Sequence, residues 1–326
     1  MLSHDVEFIA ELTLPSGAHV IQKLTDHLVS NYSHHGFLLS TVTLIVFFIA
    51  TRLSSDYLFP KIIYRNTFEW LTASQKRRFV NHHVLISAKI LMISLALYPY
   101  LAVVTGLADF STPFIKGATT TMGDITIIAT SIFIGMYLHE LMYISSDVAL
   151  VSVLHHLGAV LVASIMVTRN VRWQVESNTT AYTVLIMTYG IFDILAGLWP
   201  RPVLITRTVW PEKHRMNMWL CYIAMVLTIL GTVGETIVAM YFYGIHMSGW
   251  SRAVQFATPF CHVAFMIAQG FSSKIMWTLA RKHKRQLEPL EAAEKNINRA
   301  GHESSPCIGT IVINKYRRNW RGIEFK

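Results

Sequence analysis

Charge is scarce in this 326-residue chain: Asp, Glu, Lys and Arg together make up 14% of it, against 52% hydrophobic residues. So few charges cannot cover a water-soluble globule of this length, and a mean hydropathy of +0.40 makes lipid the solvent for most of the chain. Cysteine is scarcer still, with Cys221 and Cys261 inside apolar runs and Cys307 in the tail, which excludes a disulfide framework. Acidic residues number 19 against 28 Lys and Arg, a formal charge of +9. The cations gather in a few stretches between apolar runs and in the tail, where they meet anionic headgroups. They form no continuous basic face, and nucleic acid is not expected as a partner. The first 35 residues lack the basic start, short apolar core and small-residue cleavage site of a secretory leader, and carry Asp5, Glu7, Glu11, Lys23 and Asp26. Segment 1–35 is therefore expected to be retained as an extracytosolic N-terminal stretch.

What is abundant is the long apolar run. About 20 apolar residues cross the hydrocarbon as a helix. Such runs lie near 36–53, 84–107, 122–145, 148–168, 180–199, 217–244 and 253–279. The expected fold is an all-α integral membrane bundle of about seven transmembrane helices over 36–280, followed by a basic tail over 281–326 that is disordered or a surface helix. Only the Ser145, Ser146, Asp147 turn separates the third and fourth runs, which makes them antiparallel neighbours. Arg52, Lys61, Arg65, Lys76, Arg77 and Arg78 fall in one inter-span stretch, Arg201, Arg207, Lys213 and Arg215 in another, and Arg281, Lys282, Lys284 and Arg285 open the tail. By the positive-inside rule these stretches are cytosolic. Sequons at Asn31 and Asn178 fall on the opposite side, where glycosylation occurs, so the N-terminus is expected in the lumen and the C-terminus in the cytosol.

An ionisable group at membrane depth costs several kcal/mol, roughly 2.5–3.5 by insertion scales, and usually faces the bundle interior or marks a pathway. The chain has a set of them: His139 and Glu140 in the third run, His155 and His156 in the fourth, Asp193 in the fifth, Glu235 in the sixth and His262 in the seventh. Helical spacing puts Glu140, Tyr143 and Asp147 on one face and Tyr182, Tyr189 and Asp193 on another, two polar stripes suited to one cavity. His155 and His156 lie about 100° apart around their helix, so one can face a cavity while a neighbouring helix holds the other. A neutral imidazole oriented by a carboxylate supports proton transfer, and with a thioester and an amine it acts as base or nucleophile. The plain alternative is that these groups only join helices by hydrogen bonds worth about 1 kcal/mol each. Glu235, with Thr228, Gly231 and Thr232 on its face, and His262 read as such structural partners. His139, Glu140, His155, His156 and Asp193 are zinc-ligand types, but no helix carries the i, i+4 histidine pair that makes a metal site specific, and none is expected.

Four stretches resemble the TLC family of multispan membrane proteins, which includes the ceramide synthases. Phe68, Glu69, Trp70, Leu71, Thr72, Ala73, Ser74, Gln75, Lys76, Arg77 and Arg78, followed by Val84 to Ser87, is similar to its aromatic and basic lead into a span. Gly135, Tyr137, Glu140 and Leu141 resemble its Gly, Tyr, acidic, Leu motif, with Glu where Asp is more usual. Asp147 with His155 and His156 is similar to its acidic residue and double histidine, one residue further apart. Leu185, Ile186, Met187 and Asp193 look like the run into the last Asp of its His-Asp-x-Ser-Asp signature, although the positions around Gly190 and Ile191 hold neither that His nor the first Asp. The resemblance covers roughly 60–280 and implies a seven-span bundle in the endoplasmic reticulum or a related endomembrane, working on lipids of the sphingolipid class.

That resemblance implies an acyl-CoA-dependent N-acyltransferase, with His155 or His156 as base or acyl acceptor, Asp193 or Glu140 orienting it, and Tyr137, His139, Tyr143, Asp147 and Tyr189 near the substrate. The expected partners are membrane lipids, fatty acyl-CoA as co-substrate, a long-chain amine and, as an open option, a second copy of the chain; no bound cofactor is expected. The alternative is a non-catalytic protein that binds, senses or moves lipids. Weaker options are a membrane terpene cyclase using Glu140, Asp193 or Glu235 as a protonated acid, and a seven-span receptor or retinal protein, for which Lys274 is the intramembrane lysine considered.

Overall fold

The computed structural model describes residues 28–144, 149–175 and 178–301. A short 3₁₀ turn, Asn31–His35, is capped by Ser30, whose hydroxyl accepts from the Tyr32 amide, and leads into α1, Gly36–Leu53. α1 continues as a π-helical stretch, Ser54–Ile63, containing Pro60, and is followed by the short α2, Arg65–Trp70. Then come α3, Ala73–Val104, α4, Met122–Ile144, α5, Leu150–Val171, and α6, Thr179–Leu198. α7, Pro200–Val209, α8, His214–His246, and α9, Arg252–Gly301, complete the chain. Among the described residues there is no strand, only an isolated bridge between Pro113 and Thr121.

Local chemistry explains the breaks. Thr72 and Gln75 form a reciprocal capping box that starts α3, which sets its beginning eleven residues before the apolar run read from 84. Pro200, at the first position of α7, lacks the N–H that would continue the ladder from α6, so the helix pauses at Trp199 and resumes. Asp124 sits in the first turn of α4, accepting from the Thr121 amide at 2.9 Å and the Ser30 hydroxyl at 2.6 Å, a carboxylate at a helix N-terminus that fastens the N-terminal turn.

Six stretches are long and apolar enough to cross a membrane: Asn31–Ile63, Ala73–Val104, Met122–Ile144, Leu150–Val171, Thr179–Val209 and His214–Gly249. The seventh expected span lies within α9, which misses that hydropathy because its inner face carries Thr258, His262, Gln269 and Ser273, all buried. Phe256, Phe260, Val263 and Ile267 are exposed at spacings of four, three and four, an apolar stripe suited to lipid. α9 runs on without a break to Gly301, so the first part of the expected tail continues that helix.

α4 and α6 form the buried centre of the bundle. α4 packs against α1, α3 and α5, while α6 packs against α3, α5 and α8; α9 lies along α8 and reaches α5. Gly135 permits the α1–α4 approach, since a Cβ there would stand 2.9 Å from Thr43 Cγ2.

Candidate functional site

The polar side chains of the helices converge near one end of the bundle, the end where α3 and α5 begin and α4 and α6 finish. On α6, Asp193 is held from two directions. His155 Nε2 of α5 lies 3.0 Å from its Oδ1, and the Tyr137 hydroxyl of α4 donates to its Oδ2. Because Nε2 faces the carboxylate, it carries the proton in the neutral ring, and Nδ1 is the basic nitrogen; Nδ1 has no hydrogen-bond partner. The three residues form a Tyr–Asp–His network across three helices.

Beside it lies a second network built on Glu140 of α4. Arg201 of α7 donates from Nη2 to both carboxylate oxygens, at 2.9 and 3.1 Å, and Asn81 of α3 adds an amide donor at 3.3 Å. Arg201 Nη1 also donates to His82 Nδ1 at 3.3 Å. His156 Nε2 stands 3.8 Å from Glu140, and its ring lies 4.6 Å from that of Tyr137, which joins the two networks. Lys89 of α3, 1% exposed, donates at 3.5 Å to the Asp193 backbone carbonyl and has its ammonium 5.8 Å from the centre of the Tyr137 ring. It lies within electrostatic reach of both Asp193 and Glu140.

His155 and Asp193 open onto a narrow crevice between α4, α5 and α6, with about 630 Å³ of empty space including its mouth. Its walls are Ala96, Ala129, Phe133, Ala163, Met166, Ile186 and other apolar residues, with Tyr189, Thr126 and Thr130 as the remaining polar groups and Phe265 of α9 closing one side. The arrangement is an oriented imidazole at the head of an apolar slot, which suits proton transfer on the polar end of an amphiphile.

The structure thus brings His155, Asp193, Tyr137 and Tyr189 to or beside the crevice and gives His156 and Glu140 to the neighbouring ion-pair network. His139 turns the other way, sharing a 3.0 Å hydrogen bond with Thr51 of α1 and stacking on Tyr143 at 5.4 Å. Both belong to the α1–α4 contact, and the Glu140–Tyr143 stripe does not line the crevice. Tyr182 lies outside the crevice lining as well, under Arg169 and against Trp250. Asp147 lies outside the described residues. Among those residues, no three His, Cys, Asp or Glu side chains gather to hold a metal ion. Asn31 is exposed in the 3₁₀ turn, and Asn178 donates to the Gly249 carbonyl at 2.8 Å.

Two cations escaped the sequence reading. Lys89 is a buried intramembrane lysine, whereas Lys274 is exposed on α9. Arg201 counted as a loop cation, yet α7 carries it back onto Glu140. The available signal was that Lys89 interrupts an otherwise apolar run, since a charge in such a run needs a partner.

Comparison with family models, with curated proteins and with solved structures gave no match for this chain.

Proposed function

We propose that this multispan protein is a lipid enzyme that transfers a fatty acyl group from acyl-CoA to a long-chain amine in the endoplasmic reticulum or a related endomembrane, with its N-terminus lumenal and its C-terminus cytosolic. The observation that carries the reading is the His155–Asp193 pair at 3.0 Å, facing an apolar crevice with Nδ1 of His155 unpartnered. The amine nitrogen attacks the thioester carbonyl, the C–N bond forms, and the C–S bond breaks. His155 Nδ1 takes the amine proton and returns it to the departing sulfur, so that amide and CoA thiol are the products. Asp193, steadied by Tyr137, fixes the ring tautomer and stabilises the imidazolium. The crevice holds the acyl or amine chain. The resemblance to the TLC family supports the same substrates.

A second reading is a protein that binds, senses or moves lipids without catalysis. It is favoured by the predominantly apolar lining of the crevice, which offers no cluster of cations for the phosphates of CoA.

Purified protein in nanodiscs, supplied with labelled acyl-CoA and a panel of long-chain amines, alcohols and lysolipids, separates the two. Acyl transfer is expected for the intact protein, with a loss of about a hundredfold or more in His155→Ala. His156→Ala is expected to retain more activity, because that ring faces Glu140. Absence of product with every acceptor, while lipid co-purifies with the folded protein, rejects the enzyme and leaves the lipid handler.

A further inference from the structure

Beyond the His155–Asp193 pair lies a second polar cluster that the acyl-transfer chemistry does not use. Away from the helix ends, the bundle interior holds the carboxylates of Glu140, of the partly buried Asp193 and of Glu235 on α8, the last with a side chain only 2% exposed. Two of them have cations. Arg201 grips Glu140, and Lys89 lies within electrostatic reach of Asp193. No lysine or arginine pairs with Glu235 among the described residues. Its Oε2 accepts one hydrogen bond, at 2.6 Å from Gln269 of α9, and its Oε1 lies 4.0 Å from His262 Nδ1. Thr232 in turn donates to Gln269 Oε1, which fixes the amide with its N–H toward Glu235.

Around this carboxylate the hydrogen-bonding capacity is left over. Both ring nitrogens of His262 and the Tyr189 hydroxyl are buried without partners, and the rings of Tyr189 and His262 lie 5.7 Å apart. Buried polar atoms in native proteins are almost always satisfied, so three orphans beside an acid without a cation mark a place where a ligand supplies what is missing. The missing pieces are positive charge and N–H donors. A primary ammonium carries one charge and three donors on one atom, enough for Glu235, Tyr189 and a neutral His262 nitrogen together. Tyr189 also lines the crevice, and Phe265, 5.7 Å from Tyr189 and 5.3 Å from His155 by ring centres, is the partition between the two clusters.

We infer that Glu235, with Tyr189 and His262, is the binding station for the ammonium group of a single-chain lipid amine, whose hydrocarbon lies in the crevice. This names a recognition site for the amine of the acyl-transfer reading and rests on that reading only for the chemistry after binding. The station selects amines over alcohols of equal length, because an alcohol brings no charge to Glu235.

The test is equilibrium binding of labelled hexadecylamine and of hexadecanol to the full chain in nanodiscs, with empty nanodiscs as the blank. Saturable amine binding is expected, weakened about tenfold or more by Glu235→Gln, with alcohol binding unchanged and the charge-retaining Glu235→Asp recovering part of the amine affinity. Amine binding that is not saturable, or that Glu235→Gln leaves as in the intact protein, overturns the inference. Should Glu235→Gln fail to fold, Tyr189→Phe removes only the unpartnered hydroxyl and is expected to weaken amine binding severalfold; unchanged amine affinity in this variant likewise overturns it. Amine binding lost in Glu235→Gln without any acyl product in the intact protein keeps the station and rejects the transferase. Acyl transfer whose KM for amine is unmoved by Glu235→Gln does the reverse.

Discussion

Arg201 and Glu140 show what a single residue pair decides. Each is nearly buried, and Nη2 of the guanidinium meets both carboxylate oxygens while Nη1 reaches His82, so the two charges are each other's closest compensation, with the Asn81 amide beside them. Removing one partner of such a pair leaves an uncompensated buried charge, at a cost of about 3–5 kcal/mol. Arg201→Ala is therefore expected to lower the melting midpoint of the detergent-solubilised protein sharply. Arg201→Lys keeps the charge but cannot bind Glu140 and His82 from two separate nitrogens, and recovers part of the loss. Glu140→Leu combined with Arg201→Met, which removes both charges at similar volume, is expected to melt above Arg201→Ala alone. If the single variant melts with the intact protein, the pair has no structural role. The position of Glu140 on an inward face was legible in the sequence, since a carboxylate in an apolar run must turn inward. Its partner was not, because Arg201 lies beyond the end of α6, in a basic stretch that reads as a loop, and α7 resuming at Pro200 keeps it against the bundle.

At the scale of elements, helix positions followed closely from hydropathy: α5 at Leu150–Val171 was expected near 148–168, and α6 at Thr179–Leu198 near 180–199. Which helix faces which is a matter of packing, and no local pattern specifies it. The sequence left open whether His155 or His156 faces the cavity, since two positions about 100° apart are equivalent until the neighbours are in place. Asp193 on one side and Glu140 on the other resolve it. The junction of α7, α8 and α9 gives a prediction of its own. His283, on the part of α9 beyond the expected span, shares a 3.2 Å Nδ1-to-Nδ1 hydrogen bond with His214 of α8, so one of the two rings carries its proton there. Burial, and then the charges of Arg207 on α7, of His214 and of Lys282, push His283 down to about 4 from its ordinary 6.5. An unfolded chain takes up this proton as the pH falls through 6.5, and the folded one only near 4. This contribution to stability is thus level above pH 6.5 and declines from there toward pH 4. A plot of melting midpoint against pH is expected to slope downward over that window, and His283→Gln, which cannot take the proton, to flatten part of the slope. An identical slope in the variant assigns the acid sensitivity to other groups.

For the whole molecule, orientation and span count are linked through the charge distribution. The basic stretches after α1 and α6 and within the extension of α9 lie at one end, while Asn31, Asn178 and the 105–121 connection lie at the other. The proposed orientation puts the first set in the cytosol, the side that retains Lys- and Arg-rich stretches. Between Ile115 and Lys213, both exposed, the chain passes through α4, α5 and α6, an odd number of crossings, so the two residues belong on opposite sides. Between Lys213 and Lys284 it passes through α8 and α9, and these residues share a side only if α9 crosses with its polar face inward. Single cysteines at Ile115, Lys213 and Lys284, in a variant whose own Cys221, Cys261 and Cys307 are Ser, can be exposed to a membrane-impermeant maleimide in sealed microsomes. Lys213→Cys and Lys284→Cys are expected to react in intact vesicles, and Ile115→Cys only after permeabilisation. The inverse pattern reverses the orientation. Lys284→Cys reacting together with Ile115→Cys reduces the bundle to six spans and leaves the Glu235–His262 face of α9 outside a crossing helix, whereas agreement with Lys213→Cys puts that polar face within a bundle of seven.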